Sequence, residues 1–252
     1  MSDEISFEDI YTGEDLNVEG VLHREADSGW SPTLDIDWSQ TVDLSEEKKS
    51  ALADAATQFH YSNSSHLILC GRLLETAESM ELKKLSLYLA FSKMRNVDVF
   101  GRYLGKVSSD TEIAPHTKEF LSEMSGEENL VNLLLGMGVL GGTVGYGVLD
   151  YLRESGDPLF REISDRVIEK KKTNEEMLVR HLNDFQDSGG SDAEDSITEH
   201  ALFYRDRAEK IVLFHGDLLT TLGFDPEEVA DNVVKATDEF YEKIGLDPEE
   251  LG

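Results

Sequence analysis

The stretch Ala90-Phe-Ser-Lys-Met-Arg-Asn-Val-Asp-Val-Phe-Gly-Arg-Tyr-Leu104 decides the fold, together with its counterpart Glu169-Lys-Lys-Lys-Thr-Asn-Glu-Glu-Met-Leu178. Read as a helix of 3.6 residues per turn, the first places Leu89, Lys93, Asn96, Phe100 and Tyr103 on one stripe. The second, with its flanks, does the same for Val167, Lys171, Asn174, Leu178 and Phe185. Each stripe is apolar but for one Lys-x-x-Asn pair. Two such pairs predict a polar centre inside a helical bundle.

Outward from these stripes the pattern stays helical. Asp43-x-x-Glu46 reads as a capping box that opens a first helix, whose inner face carries Leu52, Ala56, Phe59, Asn63, Leu67, Cys70 and Leu74. The second helix spans about Leu82 to Val107, and a short one is expected from His116 to Met124. Ser125-x-x-Glu128 is expected to cap a third long helix, Leu130 to Leu149, which carries no charge and holds six glycines between Gly136 and Gly147. It is long enough to span a bilayer. Acidic flanks and an internal Asn132 argue instead for a buried central helix on which the Gly138/Gly142 and Gly141/Gly145 spacings let neighbours approach. Asp157-Pro158 starts a fourth helix that should run to Phe185, and Gln186 to Ser196, with Gly189-Gly190, reads as a loop. Ser191-x-x-Glu194 should open a fifth, and Asp225-Pro226-x-Glu228 a sixth that ends at Gly245. The expected fold class is all-α: residues 1–42 as an N-terminal arm packed on the bundle and 43–252 as the bundle domain.

Composition narrows the function. Fifty-two acidic residues against 23 basic ones leave a net charge of −29, spread along the chain. Such a coat suits a salt-adapted, haloarchaeal-type protein, because molar salt shortens the Debye length to about 3 Å and lets carboxylates crowd. No basic patch exists to neutralise phosphates, so nucleic acid is not an expected partner. Cys70 is alone, which excludes a disulfide framework and a thiolate metal cluster. The opening residues Met-Ser-Asp-Glu-Ile lack the pattern of a signal peptide, and a cytoplasmic location with no membrane partner is expected.

These landmarks resemble a known family. Phe59 to Leu104, with Leu73-Leu-Glu-Thr-Ala-Glu78 inside it and Val97-Asp-Val-Phe-Gly-Arg-Tyr-Leu104 at its end, looks like the first two bundle helices of ferritin-like, ribonucleotide-reductase-small-subunit-like di-iron proteins. Gly136-Met137 and Asp157-Pro-Leu-Phe-Arg-Glu162 continue the likeness, which covers roughly residues 38 to 222. The resemblance implies a ferritin-like bundle, a homodimer and metal-ligand positions at Asn63, Lys93, Asn96, Gly142 or its neighbour, Lys171 and Asn174. None of these residues is a metal ligand of the family's kind, so no metal and no cofactor are expected. Phe100 also stands where radical-bearing subunits place a tyrosine.

Three readings of the centre follow from charge. Ammonium groups repel divalent cations, and buried lysines must find anions, keep water or lose a proton. The centre can be a polar plug in a non-catalytic scaffold, or in the partner of a metal-loaded paralogue or another protein, with a buried acid such as Glu199 or waters against the lysines. It can be an anion pocket in which Lys93 and Lys171 hold a small carboxylate or phosphate. It can also belong to a metal-independent enzyme with a lysine base or nucleophile. An oxidoreductase with a shifted metal site would draw on His60, His66, His181, His200, His215, Asp98 and Glu175.

Overall fold

A computed structural model describes residues 29–107, 112–125, 129–249 and 251. Among the described residues there are helices and connecting turns and no strand, as the apolar periodicity predicts. Helix α1 (Glu46–Thr76) opens at Ser45, whose hydroxyl accepts from the Lys48 N–H, so the expected cap at Asp43 lies two residues early. A three-residue turn leads into α2 (Met80–Val107), which returns antiparallel along α1. The register is pinned by three cross-links: Ser86 Oγ donates to the Cys70 carbonyl, Asn96 to Asn63, and the His60 ring meets the Val97 carbonyl at 3.0 Å.

The short α3 (Pro115–Ser125) precedes α4 (Leu130–Gly138). Ser125 is the last residue of α3 and not a cap; Asn129 caps α4 by accepting from the Asn132 N–H at 3.1 Å. The expected partner Glu128 lies outside the described residues. The central helix then runs through a π-helical turn (Val139–Val144) into α5 (Gly145–Leu152), widening at Gly141-Gly142, where no side chains crowd the turn. Its glycines answer to named neighbours. A Cβ on Gly138 would stand 2.5 Å from the Phe240 ring, and one on Gly147 would stand 2.9 Å from Val233. Leu130–Leu152 is apolar enough to cross a membrane, yet 67% of its most apolar window is buried in the bundle, which accounts for the composition by packing.

Asp157 caps α6 (Pro158–Ile168) as expected, its Oδ1 accepting from the Leu159 N–H while its Oδ2 accepts from the buried Tyr103 hydroxyl at 2.6 Å. The chain then breaks at Glu169-Lys170, and a new helix, α7 (Lys171–Phe214), runs unbroken for 44 residues. The expected loop at 186–196 is helix. Two glycines cost roughly 2 kcal/mol of propensity. Leu178 and Leu182 before them and Ile197, Ala201, Tyr204, Ala208 and Val212 after them are buried, so packing at both ends carries the helix across. After α8 (Gly216–Leu222), Asp225 caps α9 (Pro226–Lys243), which packs on α7 and the central helix. Of the N-terminal arm, residues 1–28 lie outside the description. The rest is strapped down: Trp30 and Ile36 enter the core, Gln40 donates to Glu162 at 2.6 Å, and Lys106 donates to the Trp38 carbonyl at 2.6 Å.

Candidate functional site

α1, α2, the central helix and α7 meet at a buried polar centre. Asn63, Lys93, Asn96 and Asn174 are all buried there, as the two stripes and the inner face of the first helix predict. Asn96 Nδ2 donates to Asn63 Oδ1 at 3.0 Å, and Asn63 Nδ2 donates to the Phe59 carbonyl at 2.7 Å. Asn174 Nδ2 donates to the Tyr146 hydroxyl at 2.8 Å, and the Lys93 ammonium lies 5.9 Å from the centre of the Tyr146 ring.

One position departs from expectation. Lys171 is half-buried at the edge of the centre, because the break before α7 makes it the first residue of a new helix and takes it out of phase with Val167. Gly142 lines the cavity at the centre, and a Cβ there would meet only the Met137 carbonyl, at 3.8 Å. Its neighbour Gly141 lines it too and lies closer to the side chains, since a Cβ there would stand 2.7 Å from His66 Nε2 and 3.2 Å from Lys93 Nζ.

His66 belongs to the centre and entered the sequence reading only as a spare ligand. It lies one turn beyond Asn63 on the same face of α1, which was the available signal. Its Nδ1 lies 2.8 Å from the Ser62 carbonyl and therefore carries the proton. Its Nε2 lone pair is buried with no partner, and so is the carbonyl oxygen of Asn174. Burial, with the Lys93 charge behind it, pushes the His66 pKa down to about 3, so the ring is neutral at ordinary pH. Burial likewise pushes the Lys93 ammonium down to about 8, and the Cys70 thiol up to about 11. Tyr146 had no signal of its own, whereas Gly141 was already marked as the neighbour of Gly142.

The centre encloses a cavity of about 20 Å³, room for one water. Its walls include Lys93, His66, Gly141, Tyr146 and Asn174. His66 also forms the inner wall of a second cavity of about 550 Å³. That one runs outward between α1, α5, α7 and α8, lined by Phe59, Leu69, Leu140, Val144 and Val148, with Arg207 and Lys210 at its rim.

The remaining candidates lie elsewhere. Glu199 is exposed and does not face the lysines. Asp98 pairs with Arg102 at 2.9 Å, and Glu175 accepts from Lys243. His181 lines a separate small cavity beside Lys84 and Tyr88, and His215 lies at the outer part of the large cavity, 3.5 Å from Thr117 Oγ1. His200 is half-buried away from the centre.

No protein-family model and no curated protein matches the sequence. Solved structures do. A variant of an R2-like ligand-binding oxidase with a Mn/Fe cofactor aligns over 97% of this chain and 98% of its own, with a TM-score of 0.75 at 14% identity. Another variant, with a Mn/Mn cofactor, aligns over the same shares at 0.72 and 15%. A protein described as a class I ribonucleotide reductase from Bacillus halodurans aligns over 93% of this chain and 95% of its own, at 0.65 and 11%. The fold is ferritin-like, of the R2 kind.

Within this R2-like fold the residues do not fit the metal pair that those oxidase structures carry. Manganese and iron need carboxylates and imidazoles. The centre offers an ammonium, three amides, a phenol and one imidazole, and Gly141 contributes no side chain. Among the described residues no group of three His, Cys, Asp or Glu side chains is placed to hold a metal.

Proposed function

We propose that this protein is a metal-free, non-catalytic relative of the R2-like oxidases that binds an elongated apolar small molecule in the 550 Å³ cavity. The observation that carries this reading is His66: one side of its ring closes the large cavity, and the other faces the Lys93 centre. A cavity of this volume with mostly apolar walls is of ordinary ligand-site size. At the centre, one water that accepts from Lys93 and donates to His66 Nε2 and Asn174 Oδ1 satisfies all three groups at once. The centre is then a plug that joins the helices and forms the polar floor of the apolar site. A carboxylate or phosphate between Lys93 and Lys171 fits less well, because about 20 Å³ is too small for it and the two unpartnered atoms are acceptors.

The direct test is binding of the apolar fluorophore N-phenyl-1-naphthylamine in molar salt, with Val148→Trp as the cavity-filling variant. Saturable binding that Val148→Trp weakens at least tenfold, with helicity unchanged, supports the reading; equal binding by both chains refutes it.

The unpartnered imidazole lone pair of His66 favours one second reading, a ferritin-like oxidoreductase that draws a metal to His66. Elemental mass spectrometry on protein produced with iron and manganese supplied separates the two. Below about 0.1 transition metal per chain supports the metal-free reading, and one or two per chain supports the oxidoreductase.

A further inference from the structure

Two serines interrupt the apolar wall of the 550 Å³ cavity. On the side of α1 that lines it, Gln58, Ser62, Ser65 and Leu69 follow one another at i, i+4, i+7 and i+11, with Leu140, Val144 and Val148 of the central helix on another wall. Other hydroxyls of α1 return to the backbone one turn back. Thr57 donates to the Ala53 carbonyl at 2.9 Å, Ser64 to that of His60 at 2.8 Å and Thr76 to that of Arg72 at 2.9 Å. The Gln58 amide is engaged at both ends, by Asp54 at 2.9 Å and by the Ala114 N–H at 3.4 Å. The half-buried hydroxyls of Ser62 and Ser65 make no hydrogen bond among the described residues.

We propose that the molecule bound in this cavity is a neutral ketone, with its carbonyl oxygen held by the hydroxyls of Ser62 and Ser65 and an apolar arm on either side. The inference rests on the ligand reading above and names the chemistry of that ligand. Three residues of helix separate the two serines by about 4.5 Å along the axis, so both hydroxyls can donate to one oxygen placed between them. A carbonyl oxygen has two lone pairs to receive them and no proton of its own to place. The apolar lining continues past the serines in both directions, to Ala55 and Phe59 on one side and Leu69 on the other, which puts the oxygen partway along the chain. Charge excludes a carboxylate at this point. The Lys and Arg side chains of the lining, Arg207 and Lys210, stand at the rim: Lys210 pairs with Asp206 at 2.6 Å and Arg207 lies over the Phe203 ring at 4.7 Å. Asp206 and Glu119 line the same cavity, so an anion would meet as many carboxylates as cations and would bury its charge against apolar walls.

The test is displacement of N-phenyl-1-naphthylamine from the full chain in molar KCl at neutral pH by dibutyl ketone and by nonanoate, which are equal in carbon number. The ketone is expected to bind at least tenfold more tightly than nonanoate. Ser62→Ala/Ser65→Ala should weaken the ketone about tenfold, the worth of one to two hydrogen bonds, and leave the affinity for the fluorophore within about twofold. Should the double variant lose helicity, each single alanine variant is expected to weaken the ketone about threefold. Nonanoate binding as tightly as the ketone overturns the proposal, and so does a ketone affinity that survives the loss of both hydroxyls. In either case saturable fluorophore binding leaves the cavity a ligand site and removes only the ketone. A native chain that binds no fluorophore overturns the ligand reading and this inference together.

Discussion

His66 Nε2 and Lys93 Nζ face the same point, lying 2.7 Å and 3.2 Å from where a side chain on Gly141 would begin. One atom is an acceptor without a partner and the other a buried cation, and the two rest on a helix that offers them only backbone. The most direct consequences concern charge and space at this point.

His66 should make stability fall in mild acid. Its folded pKa of about 3 lies below the unfolded value of 6.5, so the unfolded chain binds the extra proton in between. Stability is fully present above about pH 6.5 and is lost as pH falls towards 3, by about 2 kcal/mol at pH 5. The half-buried His181 shifts in the same direction, so the measurement is the difference between the native chain and His66→Gln in denaturant titrations at pH 7 and pH 5. Equal pH dependence in the two chains would exclude the burial described.

Lys93 is likewise a base with a depressed pKa and gives the same sign of slope at higher pH. Its folded pKa of about 8 lies below 10.5, so its desolvation cost, about 3 kcal/mol, is fully present below pH 8 and is relieved as pH rises towards 10.5. Above pH 9 Cys70 acts against it, because the unfolded thiol ionises there while the buried one does not until about pH 11. The usable window is therefore pH 8 to 9. Lys93→Met should be about 1–3 kcal/mol more stable than the native chain at pH 7, with that gain shrinking at pH 9. A destabilised Lys93→Met would mean that the ammonium has an anionic partner in solution.

Gly141 and Gly142 should respond oppositely to alanine. Gly141→Ala places a methyl 2.7 Å from His66 and is expected to cost about 1–3 kcal/mol through displaced side chains. Gly142→Ala meets nothing closer than 3.8 Å, so the better helix propensity of alanine leaves it neutral or stabilising by up to about 1 kcal/mol. Thermal unfolding of the two variants side by side checks the assignment, and equal costs would refute it.

Gly189 and Gly190 test the continuity of α7. Inside a helix, the double substitution to alanine should raise stability by about 1–2 kcal/mol and increase helical circular dichroism. Were the segment a glycine-dependent loop, the same change would destabilise the chain.

Some of the structure is written in local pattern. The 3.6-residue stripes of α2 and of α7 from Asn174 onward, the Asp157-Pro158 and Asp225-Pro226 caps and the uncharged central stretch each depend on residues within a few turns of one another, so they can be read without the fold. The stripes also announced a polar centre at Asn63, Lys93, Asn96 and Asn174, because a polar residue in an otherwise apolar phase must find company inside.

Other features were decided only in three dimensions. Glycines signal a loop when their neighbours are unknown, but packing at both ends of α7 outweighs their cost, and no local window contains that packing. The break before Lys171 changed the helical phase and left that lysine at the edge, whereas a single helix through Val167 would have turned it inward. Which glycine packs against His66 and Lys93 depends on the wider π-helical turn, and the choice of His66 over the four other histidines and two acids depends on which face of α1 meets α2 and the central helix. By itself, then, the sequence determined helix, the phase within an unbroken helix, charge and the residue types at the stripe positions, since these follow from residue chemistry and short-range spacing. Tertiary structure decided which side chains share the centre, how little space they enclose and that an apolar cavity opens beside it, because those depend on distances between residues far apart in the chain.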